Sequence, residues 1–108
     1  MRAGHSEIGA WETRKAEAVI RRARWRLAEG GMGSVGEMLV ALHDWTLPLL
    51  ERGRHMNPVH HTAVVAELMA QILLEEAAAG RADSEKVKIG MAAAVLHDAG
   101  NAFEPPGE

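Results

Sequence analysis

Residues 58–80 read PVHHTAVVAELMAQILLEEAAAG, and this stretch decides the fold. Pro58 suits a first helical position, where its missing N–H costs nothing, and Asn57 ahead of it is a good cap. No breaker follows until Gly80, a fitting C-terminal stop. His61, Val65, Leu68 and Ile72 recur at helical spacing, which predicts a stripe turned toward the core. His60 instead lies over Glu67 and Gln71, on the wetter side. The expectation is a helix to about Ala79 with His61 as its inward histidine.

Outward from this segment the chain keeps producing helices. Downstream, Asp83 or Ser84 can cap a helix running to about Ala99, with Gly100 as its stop. Val87, Met91, Ala94 and Asp98 share one stripe of it, and Gly90 with Ala92, Ala93 and Ala94 makes a smooth surface for a close neighbour. Upstream, Ser34-Val-Gly-Glu37 has the form of a capping box. Val35, Met38, Leu39, Leu42 and Leu49 follow at helical spacing, and Pro48 is expected to bend or end that helix near Leu47. A first helix is predicted from about Ile8 to Glu29, with Trp11, Ala18 and Trp25 on its apolar face beside Val19 and Ile20. Arg14, Lys15, Arg21, Arg22, Arg24 and Arg26 lie opposite, and Gly30, Gly31 and Gly33 make the turn. The tail NAFEPPGE is irregular, and no strand of useful length is evident. The fold class is therefore all-α, a small bundle of about four helices. Residues 1–33 form a basic amphipathic helix and Gly-rich turn, and 34–108 form the histidine-bearing region.

Composition narrows the function classes. Hydrophobic residues are 47% and charged residues 25% of 108, which is globular rather than disordered. Without cysteine there are no disulfides, thiolate ligands or thiol nucleophiles. No long apolar run suggests a membrane span and no apolar leader is visible, so a soluble cytoplasmic protein is expected. The net charge of −3 is uneven, +3 over residues 1–30 and −6 over the remainder. The run IRRARWRL is basic and carries a Trp, but Glu12, Glu17 and Glu29 interrupt it, so a solvated helix face is expected rather than nucleic-acid binding.

Six histidines invite a search for ligands. A buried imidazole at position 61 needs a partner for each ring nitrogen, and a metal on one with a hydrogen bond on the other supplies both. Asp98 faces two penalties, burial and the negative end of a helix dipole, and a bound cation would offset both. Two packed helices could bring His61 beside His97 and Asp98.

The segment His61-Thr-Ala-Val-Val65-Ala66-Glu-Leu68, with Ala-Val-Leu-His97-Asp98-Ala-Gly100 following 36 residues later, resembles the HD superfamily of metal-dependent phosphohydrolases. The resemblance covers roughly residues 57–103. His60 and Thr62 echo the common variant with paired histidines, in which the second is the ligand. The resemblance implies metal ligands His61, His97 and Asp98, with His60 supporting them from outside the coordination sphere. It also implies a divalent ion (Mn, Fe, Co, Ni, Zn or Mg) and hydrolysis of a phosphate ester or nucleotide. Asp98 would also touch the attacking water, and Asn101 stands where many members carry Lys. The family's last Asp has no counterpart after Asp98, since only Glu104 and Glu108 follow. A truncated domain is the favoured expectation; the remaining ligand could otherwise come from another subunit, or the site be degenerate.

A second His-Asp pair, His43-Asp44, has His5 38 residues before it, but Trp45-Thr46-Leu47-Pro48 follows with no Gly turn, and coincidence is the expectation. The rival function class is a non-catalytic helical module that binds a partner or dimerises and keeps a vestigial metal site. Four short helices should leave apolar surface exposed, so a homo-oligomer is expected. Nucleotide sensing without turnover is a third class.

Overall fold

The computed structural model describes residues 2–51 and 58–97. Among the described residues are four helices, α1 (Arg2–Glu29), α2 (Gly33–Glu51), α3 (Pro58–Ala78) and α4 (Ser84–Leu96). There is no strand among the described residues. The all-α expectation holds.

The chain's own stop signals set the helix ends. At the ends of α1 and α3, Gly31 and Gly80 take φ of 82° and 79°, the left-handed region where a Cβ is penalised. Each closes a tight cap. Met32 N–H donates to Leu27 O and Gly31 N–H to Ala28 O, and Arg81 and Gly80 repeat the pattern onto Glu76 and Ala77. Asp83 is the N-cap of α4, its carboxylate accepting from Lys86 N–H at 2.9 Å. Three boundaries differ from expectation. α1 begins at Arg2 rather than near Ile8, so His5 is helical. α2 begins at Gly33, ahead of Ser34, and the Glu37 carboxylate pairs with Arg24 of α1 at 2.6 Å. α2 also runs through Pro48 to Glu51 instead of stopping near Leu47. Pro48, Asp44 and Trp45 lie on the exposed side, where solvent can serve the carbonyl that proline leaves without a donor.

The helices surround one core. α1 packs on α2 and α3, and α4 packs on α2 and α3 from the opposite side. Arg22 meets Glu67, and Gly30 abuts Leu74, so α1 and α3 run in the same direction. Leu73 abuts Gly90, and His61 meets His97, so α3 and α4 run antiparallel. Leu27, Leu39, Met91, Val87 and Val95 are fully buried at the centre, each worth about 2 kcal/mol in burial. The expected α4 stripe is buried at Val87, Met91 and Ala94. A Cβ on Gly90 would stand 2.6 Å from Leu73 Cδ1, so the smooth surface read from the sequence is where α3 docks.

Two helices are rotated about their axes relative to expectation. α1 buries Ala16, Val19, Ile20, Ala23 and Leu27, whereas Trp25 is 63% exposed. α3 buries Val59, Thr62, Ala63, Ala66 and Ala70, while Leu68 and Ile72 are 55% and 46% exposed. The cause is packing distance. The alanine seam of α3 lets α1 and α4 approach closely, and the larger aliphatics are left outside. The basic residues of α1 from Arg14 to Arg26 are exposed as expected. No helix among the described residues is long and apolar enough to cross a membrane.

Candidate metal centre

The antiparallel pairing of α3 with α4 brings the first turn of one helix to the last turn of the other. His61 belongs to the first turn of α3, and His97 is the C-cap of α4. Their rings meet edge to face, with centroids 6.0 Å apart and planes inclined at 65°. The two are 36 positions apart in sequence, and the fold closes that gap.

His97 is held by its own helix. Its backbone N–H donates to Ala93 O at 3.0 Å, and its Nδ1 lies 2.7 Å from Ala94 O. A carbonyl can only accept, so Nδ1 carries the proton, and this tautomer puts the ring's lone pair on Nε2. Metal-bound histidines are commonly oriented by such a backbone acceptor. Two imidazoles on one ion at about 2.1 Å hold their ring centres on the order of 5 Å apart, against 6.0 Å here.

Burial corrects the sequence reading of α3. His61 is exposed rather than turned into the core, because the alanine seam takes the interior. His60, expected on the wetter side, is half-buried, and its Nδ1 is enclosed without a hydrogen-bond partner. Thr62, beside them, is fully buried. Exposed as it is, His61 still meets His97. Asp98, the expected third ligand, and Asn101 lie outside the described residues. Among the described residues no three His, Cys, Asp or Glu side chains gather as a set able to hold an ion.

Among the histidines whose burial is described, the most buried is one that the sequence reading set aside. His43 is 1% exposed, and its Nε2 has no hydrogen-bond partner. Burial pushes its pKa below the ordinary 6.5, against the opposing pull of Asp44 and Glu17. Thr46 caps the local turn by donating from Oγ1 to His43 O at 3.1 Å. Val35, Leu39, His43 and Thr46 share helical spacing and are all buried, and that spacing was the available signal. Neutral and enclosed, His43 belongs to the core.

Beyond this centre, a shallow groove between the ends of α1 and α3 is lined by Trp25, Arg26, Glu29, Gln71, Leu74 and Glu75. It holds no histidine. Comparison with family models, with curated proteins and with solved structures finds no match to this chain.

Proposed function

We propose that this chain carries the metal-binding part of a phosphohydrolase of the HD type, acting on a phosphate ester or nucleotide. The single observation that supports the reading is the meeting of His61 and His97 across the α3–α4 pair. Distant in sequence, they meet in the fold, and in this reading they are two of the ligands. His61, His97 and the adjoining Asp98 would hold a divalent ion. When bound, such an ion polarises a phosphoryl oxygen and acidifies a water, which is the chemistry that phosphate-ester hydrolysis needs. His97, fixed by Ala94 O, presents a constant donor. His61, at the exposed side, leaves a phosphate room to approach. Asp98 would orient the attacking water, and Asn101 would orient phosphate without adding charge.

Turnover tests the reading. Hydrolysis of an aryl phosphate by the purified chain with Mn2+ or Ni2+, abolished by His61→Ala and by Asp98→Ala, is the expected result. Metal bound with equal affinity by the wild type and both variants, and no hydrolysis, would overturn it.

One observation favours the second reading, a helical module that associates. Val64, Leu68 and Ile72 on α3 and Ile89 and Leu96 on α4 are large, apolar and exposed. A module of this kind would dimerise in metal-free buffer and show no hydrolysis with any divalent ion.

A further inference from the structure

The groove between the C-terminal ends of α1 and α3 is lined by Trp25, Arg26, Glu29, Gln71, Leu74 and Glu75. At 1.5 Å per residue, Glu75 stands about 21 Å along α3 from His61, so the groove is independent of the metal reading. Its floor is apolar, because Leu74 lies against Gly30, where a side chain would otherwise stand. Trp25 lines it and is mostly exposed. Its volume of about 330 Å3 is at the small end of ligand clefts, enough for one long side chain.

Charge selects the occupant. Glu67 of α3 is paired with Arg22 and Glu76 with Arg81, whereas Glu75 and Glu29 make no ion pair among the described residues. Arg26 lines the same groove and pairs with neither, so one guanidinium stands against two carboxylates. The backbone adds to the imbalance. Since α1 and α3 run in the same direction, both bring the negative ends of their dipoles here, and α3 has no basic residue in its last turn. A cation relieves this field, and an indole beside carboxylates attracts one. Shape selects the source. A metabolite cleft encloses most of its ligand, but this groove is shallow and leaves Trp25 exposed. A cationic side chain projecting from a polypeptide brings its own cover and has an apolar stem to lay on Leu74.

We propose that this groove takes a lysine or arginine side chain of a partner polypeptide, its stem on Trp25 and Leu74 and its cationic head at Glu29 and Glu75. Arg26 opposes the head, and so limits affinity while excluding partners of higher local positive charge.

The probe is a capped alanyl-lysyl-alanine peptide, titrated into the 15N-labelled full chain and followed by NMR at the Trp25 indole N–H and the backbone amides of residues 26–30 and 71–76. These signals should shift together and saturate in the millimolar range. Glu29→Gln, Glu75→Gln and Trp25→Ala, all at exposed positions, should each weaken binding roughly threefold with unchanged helical circular dichroism. Arg26→Gln should tighten it by a similar factor, because it removes the opposing charge. Shifts that rise linearly without saturating overturn the site. Equal affinity for the norleucine analogue of the peptide, or no response to Glu29→Gln and Glu75→Gln, overturns the cationic head. Equal affinity for butylamine, a free amine with the same stem, overturns the polypeptide as its source.

Discussion

The ring of His61, one turn into α3, stands edge-on to the ring of His97 at the end of α4, 6.0 Å between centres. The relationship depends on α3 and α4 being antiparallel and closely packed. Close packing in turn depends on Gly90, which admits Leu73 where a Cβ would stand 2.6 Å away. The functional proposal therefore rests on a packing detail in mid-helix as much as on the histidines.

Gly90→Leu should accordingly destabilise the fold by about 2 kcal/mol through overpacking against Leu73. The double variant with Leu73→Ala should recover part of the loss, because the two sites share one space. Urea denaturation of the three variants measures both quantities. Additive losses would show that the contact is not limiting.

His43 should make stability depend on pH in one direction. Its folded pKa is lowered by burial, so below about pH 6.5 the unfolded chain binds protons that the folded chain refuses. Stability contributed by neutral His43 is present above the unfolded pKa and is lost as pH falls toward the folded value. His43→Leu, similar in volume, should flatten this acid limb. At neutral pH it should be neutral or stabilising by about 1 kcal/mol, because it removes an enclosed nitrogen that has no partner. Denaturation at pH 5 and pH 8 checks the slope, and an unchanged acid limb would exclude His43 as its source.

The rotation of α1 gives a contrasting pair. Trp25→Ala, at an exposed position, should change stability by less than about 0.5 kcal/mol. Leu27→Ala, at a fully buried one, should cost about 3 kcal/mol. Thermal or urea melts compare them directly, and a costly Trp25 would restore the face first read from the sequence.

Asp83→Ala should cost about 1 kcal/mol, since its carboxylate caps the Lys86 N–H at the start of α4. Asp83→Ser, which keeps an acceptor, should recover most of it. Equal losses in the two would mean that the capping bond contributes nothing.

These cases also show what was legible in the sequence. Ends were legible wherever one residue type has one physical reason to be present. Gly31 and Gly80 adopt the left-handed caps, Pro58 opens α3 and Asp83 caps α4. The helix through Pro48 was not, because solvent on that side relieves a penalty that the sequence alone presents as decisive. Faces were less legible than ends. α3 carries Ala63, Ala66 and Ala70 on one side and Val64, Leu68 and Ile72 on another, so it is apolar around much of its circumference. Ranking by side-chain size chose the outer stripe, whereas close approach selected the alanines. That error moved His61 from core to surface and exchanged its place with His60. The convergence of His61 with His97 survived it, because meeting at the end of an antiparallel pair depends on position along the axis more than on rotation about it. The His43–Asp44 dipeptide hides the role of His43, whose informative pattern is the helical spacing of Leu39, His43 and Thr46, all buried.

On the proposed function, His61 and His97 share one cation. Titrating Zn2+ into protein with 15N-labelled imidazole and following both side chains by NMR tests it most directly. The two rings should respond together and saturate at one ion per pair, with His97 bound through Nε2 and its Nδ1 proton retained toward Ala94 O. Rings that respond at different Zn2+ concentrations, or a response from only one of them, would contradict it.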